Sequence, residues 1–259
     1  MGLFDLFKGK PSKSASGDGS SRADARGTEK KSNAAAKYAD AAGSKRAQAY
    51  DRQEAIHELC KMKSADAVEA LLKRFTFAID PSITDQEEKE AVFEGIVEAG
   101  REAIEPVRAF AAKAESVGPP IRILKAILPD DELVEELLLW LKRWDTDYAK
   151  FIDPKLQILQ ELEAHQHPSI REAVDPFLQD SNETARFYAV AATFAQKDPA
   201  AIPSLLTLLL DEESVRVRAK IADGFVALQW EIPDDQRDAV RKVLPPAYTV
   251  DGSGLVSKR

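Results

Sequence analysis

The chain has 259 residues, enough for one large domain or two ordinary ones with a sizeable buried core, which excludes a disulfide-stapled miniprotein. Apolar residues make up 44% and charged residues 31%, so most of the chain is expected to fold. The formal net charge of −8 is uneven: residues 1–46 carry +5, and the remaining −13 disfavours attraction to phosphate and argues against a nucleic-acid partner.

The chain opens with MGLFDLFKGK. As a helix, this start puts Leu3, Phe4, Leu6 and Phe7 on one side and Asp5 and Lys8 on the other. An amphipathic segment followed by a basic tether docks in a partner's groove or lies on an anionic membrane surface, so Leu3, Phe4 and Phe7 are candidate contacts and peripheral membrane contact is one expectation. The myristoylation pattern fails at Leu6, and the stretch lacks the order and length of a secretory signal. The Leu-rich run Leu137 to Leu141, like every other uninterrupted apolar run, falls far below the roughly 18 residues of a membrane span, so the expected location is cytoplasmic. Residues 8–33 are rich in Gly, Ser, Lys and Asp, the composition of a linker, so residues 1–33 are read as a basic arm.

Residues 34–43 (AAAKYADAAG) predict a weak first helix ended by Gly43. Cys60, the only cysteine, follows Ala55, Ile56 and Leu59 in a helical pattern and is expected to be a buried, inert thiol. From residue 46 a repeat emerges. Apolar residues recur at offsets of 3, 4 and 7 in Val68/Leu71/Leu72/Phe75, Val134/Leu137/Leu138/Leu141, Ile170/Ala173/Val174/Phe177 and Ile202/Leu205/Leu206/Leu209. Ile104/Val107/Arg108/Ala111 follows the same spacing, with Arg108 breaking the apolar rule. Between these lie second helical patterns such as Ala91/Val92/Gly95/Ile96/Ala99 and Ile221/Ala222/Phe225/Leu228. The unit is a helix pair, repeated every 30 to 36 residues.

Boundary signals divide the chain in the same way: Thr84–Glu87 reads as a capping box, Asp153-Pro154 and Asp198-Pro199 as caps before a first-turn proline, and Asp130 to Glu132 as an acidic first turn. Pro245-Pro246 stops the helices, leaving residues 245–259 as an irregular or hairpin-like cap. The expected fold is all-α, a solenoid of stacked antiparallel helix pairs over residues 34–244.

The segment Leu137–Phe151 (LLLWLKRWDTDYAKF) places Trp140, Trp144 and Tyr148 four residues apart, so they are candidate partner-binding aromatics as well as candidates for the core. The long connections after Phe75 and after Trp144 are expected on one edge, where insertions mark a binding side. Glu161 and His165, at i and i+4, could share a helix face, but His165 and His167 before Pro168 read first as a helix end. Carboxylate pairs such as Asp130/Asp131 and Glu135/Glu136 read as solvated faces. There is no GxSxG, HExxH, P-loop or GxGxxG motif, so no catalytic, metal or cofactor site is expected.

Residues 200–228, AAIPSLLTLLLDEESVRVRAKIADGFVAL, resemble the HEAT-repeat family, above all its short bacterial form. They share its Ala-Ile-Pro start, Leu-rich helix, turn acid Asp211 and Val217-Arg218 opening of the second helix. Residues 170–194, with Asp180 and Ala185-Arg186, and residues 99–110 (AGREAIEPVRAF) give weaker copies. The resemblance implies a curved α-solenoid, similar also to armadillo repeats, that binds other proteins without catalysis, with Asp180/Arg186 and Asp211/Arg218 tying repeats together. It therefore implies a scaffold or adaptor; because alkylpurine DNA glycosylases and phycobilin lyases use similar solenoids, a lyase-type pocket on the concave face is the alternative.

Overall fold

The computed structural model describes residues 34–259. A first helix, α1, covers 34–42, and α2 (Ala49–Met62), α3 (Ala65–Leu72), α4 (Ser82–Ala99), α5 (Ile104–Ala111) and α6 (Gly118–Ile127) follow. Then come α7 (Asp130–Leu141), α8 (Asp153–Leu162), α9 (Pro168–Val174), α10 (Glu183–Ala195), α11 (Ile202–Asp211), α12 (Val215–Leu228) and α13 (Arg237–Val243). The described chain is all-helical apart from a hairpin of β1 (Tyr248–Val250) and β2 (Val256–Lys258) and one isolated bridge.

Side-chain caps account for several helix starts. The Ser64 hydroxyl accepts from the Ala67 N–H, the Asn182 carbonyl from Thr184 and Ala185, and the Ser214 hydroxyl from Val217. Asp198 accepts from Ala200 ahead of a short 3₁₀ turn at Pro199–Ala201. The capping-box reading of Thr84–Glu87 is corrected: α4 starts at Ser82, after Pro81, and Asp85 is buried and accepts from Arg74, Lys89 and the Ile79 N–H. Burial favours ion-paired use of that carboxylate over capping. Asp153 likewise stands inside the first turn of α8, with Ile152 before it.

The apolar quartets become the core. Val68, Leu71 and Leu72 of α3, Val134, Leu137 and Leu141 of α7, and Leu205, Leu206 and Leu209 of α11 are all buried. Between them α2 packs on α4, α4 on α6, α8 on α10 and α10 on α12, while α3 packs on α5, α7 on α9 and α11 on α13. Ion pairs cross the middle: Lys125 of α6 meets Glu161 of α8, and Arg101 and Arg108 reach Glu132 and Glu136 of α7. Glu136 is therefore buried and paired, not solvated.

The hairpin covers the end of α12. The Tyr248 hydroxyl donates to Asp223 Oδ1 at 2.8 Å, and Lys258 Nζ lies 2.8 Å from the same oxygen. Gly254 is required in its turn: it sits at φ +95°, and a Cβ there would lie 2.4 Å from the Ile232 carbonyl oxygen.

Candidate functional site

The helix that carries Trp140 stops at Leu141, three residues before Trp144. Asp145 accepts from the Asp147 N–H, a local turn that competes with further helix, so the four-residue spacing of the aromatics does not continue on a helix face. Trp140, read from sequence as a candidate exposed contact, is 5% exposed and packs in the core. Trp144 is half-buried against that core, whereas Tyr148 is 85% exposed and Phe151 75%.

The structure nevertheless gathers three of these rings. Trp140, Trp144 and Phe151 line a cleft of about 600 Å³ whose opposite wall is the turn between α5 and α6. Tyr148 stands outside that lining, on the same loop. A second cleft of about 710 Å³, lined by Leu72, Phe75, Pro106 and Phe110, lies on the other side of the turn, and the two share Lys113, Ala114 and Glu115. The connections after Phe75 and after Trp144 thus border adjoining clefts.

Both walls are held in place. Arg143 donates to the Ala112 carbonyl at 2.6 Å, and Gln157 of α8 accepts from the Val117 N–H at 2.6 Å, which fixes the 112–117 turn. The 142–152 loop is tied from beneath by Lys155, whose buried ammonium donates to Asp180 at 2.6 Å and to the Asp145 carbonyl at 3.2 Å. The Ser181 N–H donates to the Thr146 carbonyl at 2.9 Å. Trp140, Trp144 and the exposed Phe151 therefore stand beside Lys113, Arg143, Glu115 and Asp153, a mixed-charge rim around apolar area. Such an arrangement can bury a partner's apolar surface against its rings.

The remaining sequence candidates separate in the same way. Leu3, Phe4 and Phe7 lie outside the described residues. His165 is buried, its Nδ1 2.6 Å from Asp130 and its Nε2 3.2 Å from Glu161, so it ties α7 to α8. Burial would raise the Glu161 carboxyl, but Lys125 and His165 outweigh it and hold it below the usual range. His167 caps α9 by accepting from the Ser169 N–H. Among the described residues no cluster of three His, Cys, Asp or Glu side chains has the arrangement of a metal site. Cys60 is only half-buried; burial, with Glu98 and Glu94 nearby, pushes its thiol up to about 11, so it is a poor nucleophile.

The ties between neighbouring pairs also differ from the expected acid–base turns. Asp180 pairs with Lys155, and Arg186 donates to the Asp180 carbonyl while holding Glu212 through two hydrogen bonds of 2.7 and 2.8 Å. Asp211 is exposed, and Arg218 donates to the Glu212 and Val243 carbonyls. Glu212, one residue after the expected acid, is the carboxylate that links α10 to the α11–α12 turn.

Sequence reading missed Phe151 and the 112–117 turn. The signal for the first was a further ring in the connection that already carries Trp144 and Tyr148; the second carries no aromatic and enters only through folding. Comparisons of the chain with protein-family models, curated proteins and solved structures find no match.

Proposed function

We propose that the chain is a non-catalytic α-solenoid scaffold or adaptor of the cytoplasm, of the HEAT-like kind, that engages a protein partner along the edge where its long connections meet. Packing between next-but-one helices supports the solenoid reading: α2 packs on α4 and α4 on α6, and α8 packs on α10 and α10 on α12, as stacked helix pairs require. One observation carries the binding reading: Trp140, Trp144 and Phe151 share one cleft while Tyr148 stands exposed beside it on a pinned loop. Aromatic side chains lose little freedom on binding and dominate interface energies, and a tied loop has already lost the entropy that a mobile one would lose on docking.

Quantitative affinity capture from the source cells tests this reading, using the full chain, a Tyr148→Ser/Phe151→Ser variant and a Val215→Ser control at a distant exposed site. The expected result is a set of proteins retained by the full chain and the control and depleted about tenfold or more from the loop variant, as loss of hot-spot rings implies. Equal capture by all three would remove the cleft from consideration.

A further inference from the structure

A groove of about 750 Å³ between α2 and α4 shares no lining residue with the aromatic clefts. Ile56, Cys60, Ala91 and Gly95 form its floor. The helices approach closely at Gly95, where a Cβ would fall 2.1 Å from Cys60 Sγ. The α4 side carries Glu87, Glu94 and Glu98, and Lys63 of the α2 side pairs with Glu98 at 3.0 Å. The groove is thus apolar beneath and acidic along one wall.

We propose that the chain's own N-terminal segment occupies this groove, with Phe4 and Phe7 over the floor and the basic residues from Lys8 to Lys13 along the α4 carboxylates. Apart from Met1, the large apolar side chains of residues 1–33 are Leu3, Phe4, Leu6 and Phe7, so an apolar docking element in that stretch has to be built from them. Residues 8–33 hold seven basic and three acidic side chains, which complements the α4 wall; the aromatic cleft, with Lys113 and Arg143 beside Glu115 and Asp153, offers no such contrast. Reach is sufficient as well. Residues 8–33 separate Phe7 from Ala34, and a Gly/Ser-rich stretch of that length spans about 28 Å root-mean-square. Ala34 lies in α1, where Lys37 lies within electrostatic reach of Glu54 and Glu58 on α2, the helix that forms the other wall. A tether of this kind gives an effective concentration of about a millimolar, so a weak contact suffices for occupancy. A partner or membrane that takes Phe4 and Phe7 then competes with the groove.

Cys60, the only thiol in the chain, sits on the groove floor and reports on occupancy without any added label. Its rate of reaction with a small disulfide reagent is compared in the full chain and in a Phe4→Ser/Phe7→Ser variant. The expected result is a rate about threefold or more higher in the variant, at high and low protein concentration alike, because a tethered occupant is insensitive to dilution. Equal rates overturn the proposal. A difference that vanishes on dilution also overturns it, by placing the segment on a second copy of the chain. A photo-crosslinking amino acid at position 4 gives an independent readout, expected to map to α2 and α4; crosslinks confined to other helices overturn the proposal. If vesicles containing phosphatidylserine bind the unmutated chain and leave its Cys60 rate unchanged, the segment is a membrane contact instead.

Discussion

The α2–α4 end of the molecule fills the space between stacked helices with charge, and the α10–α12 end fills it with rings. At the first, Glu88 accepts from Arg52 at 2.7 and 3.0 Å and from Arg74 at 2.8 Å, and Arg74 also reaches Asp85 at 2.7 Å. The Arg74 side chain is 0% exposed, and its Nη1 donates to the Phe77 carbonyl. At the second, Phe194, Phe225 and Trp230 meet at centroid distances of 5.5 to 6.2 Å, and Gly224 leaves the space that the Phe194 ring occupies. The two fillings fail differently. Truncating a ring costs contact area, while removing one member of a buried charge network strands the others without solvent.

The largest effect is therefore expected at Glu88. Glu88→Ala leaves two buried guanidinium groups facing each other and is expected to cost about 3–5 kcal/mol in denaturant unfolding. A loss below about 1 kcal/mol would mean that water enters to solvate Arg52 and Arg74, and that the charged filling is not closed.

Acid sharpens the contrast by a smaller amount. Burial would raise the Asp85 carboxyl, but hydrogen bonds from Lys89, Arg74 and the Ile79 N–H outweigh it and hold it at about 2, against 3.8 for the unperturbed group. Glu88 is held low in the same way by Arg52 and Arg74. A carboxyl with a depressed folded pKa stabilises the fold above its unfolded value and loses that contribution as pH falls through the folded one. Asp85 alone accounts for roughly 2 kcal/mol, complete above about pH 4 and lost towards pH 2. Glu212, held low by Arg186, gives the other end an acid-sensitive pair outside its aromatic cluster. Hydrogen exchange on stepwise acidification should show α4 losing protection before the interior of α10 and α12; simultaneous loss would show that the two ends unfold as one unit.

At the aromatic end the corresponding probe is Gly224→Ala. The added Cβ would lie 2.3 Å from the Phe194 ring, and overpacking of this kind costs about 1–3 kcal/mol, offset by up to about 1 kcal/mol of gained helix propensity. A net loss of about 1 kcal/mol, independent of pH between 3 and 7, is expected from thermal unfolding. A gain would show that the Phe194 ring turns aside at little cost, and that shape is less strictly specified here than charge is at α2–α4.

The two ends also differ in how far the sequence foretold them. Period 3.6 placed Leu205, Leu206, Leu209, Ile221 and Phe225 on inward faces, and each is buried, because apolar burial is a local property of one helix face. The charged filling was invisible: Arg74 and Glu88 are 14 residues apart, Arg52 and Glu88 are 36 apart, and nothing in either segment distinguishes a paired carboxylate from a solvated one. Glu136 was misread for the same reason, since its partner Arg108 stands 28 residues away. The aromatic cleft was half legible. Trp140 and Trp144 were singled out, but extending their spacing past Leu141 to Tyr148 ignored the turn that Asp145 makes, and the facing wall at 112–117 is brought in by Arg143 and Gln157.

The smallest effect on stability is expected between the two ends, on the loop that neither filling uses. The Tyr148 side chain is exposed and outside the cleft lining, so Tyr148→Ser should change unfolding free energy by no more than about 0.5 kcal/mol. The loop's conformation rests on backbone groups and on the Lys155–Asp180 pair beneath it, which the substitution does not touch. Partner capture should nevertheless weaken if this edge docks a protein, because an exposed phenol on a tied loop is the kind of group that carries interface energy, about 2 kcal/mol or roughly thirtyfold when it is a hot spot. Stability and binding thus separate at this position, unlike at Glu88 or Gly224. A fall in melting temperature of several degrees for Tyr148→Ser would show that the loop packs on the body after all, and would place it with the two ends as structure.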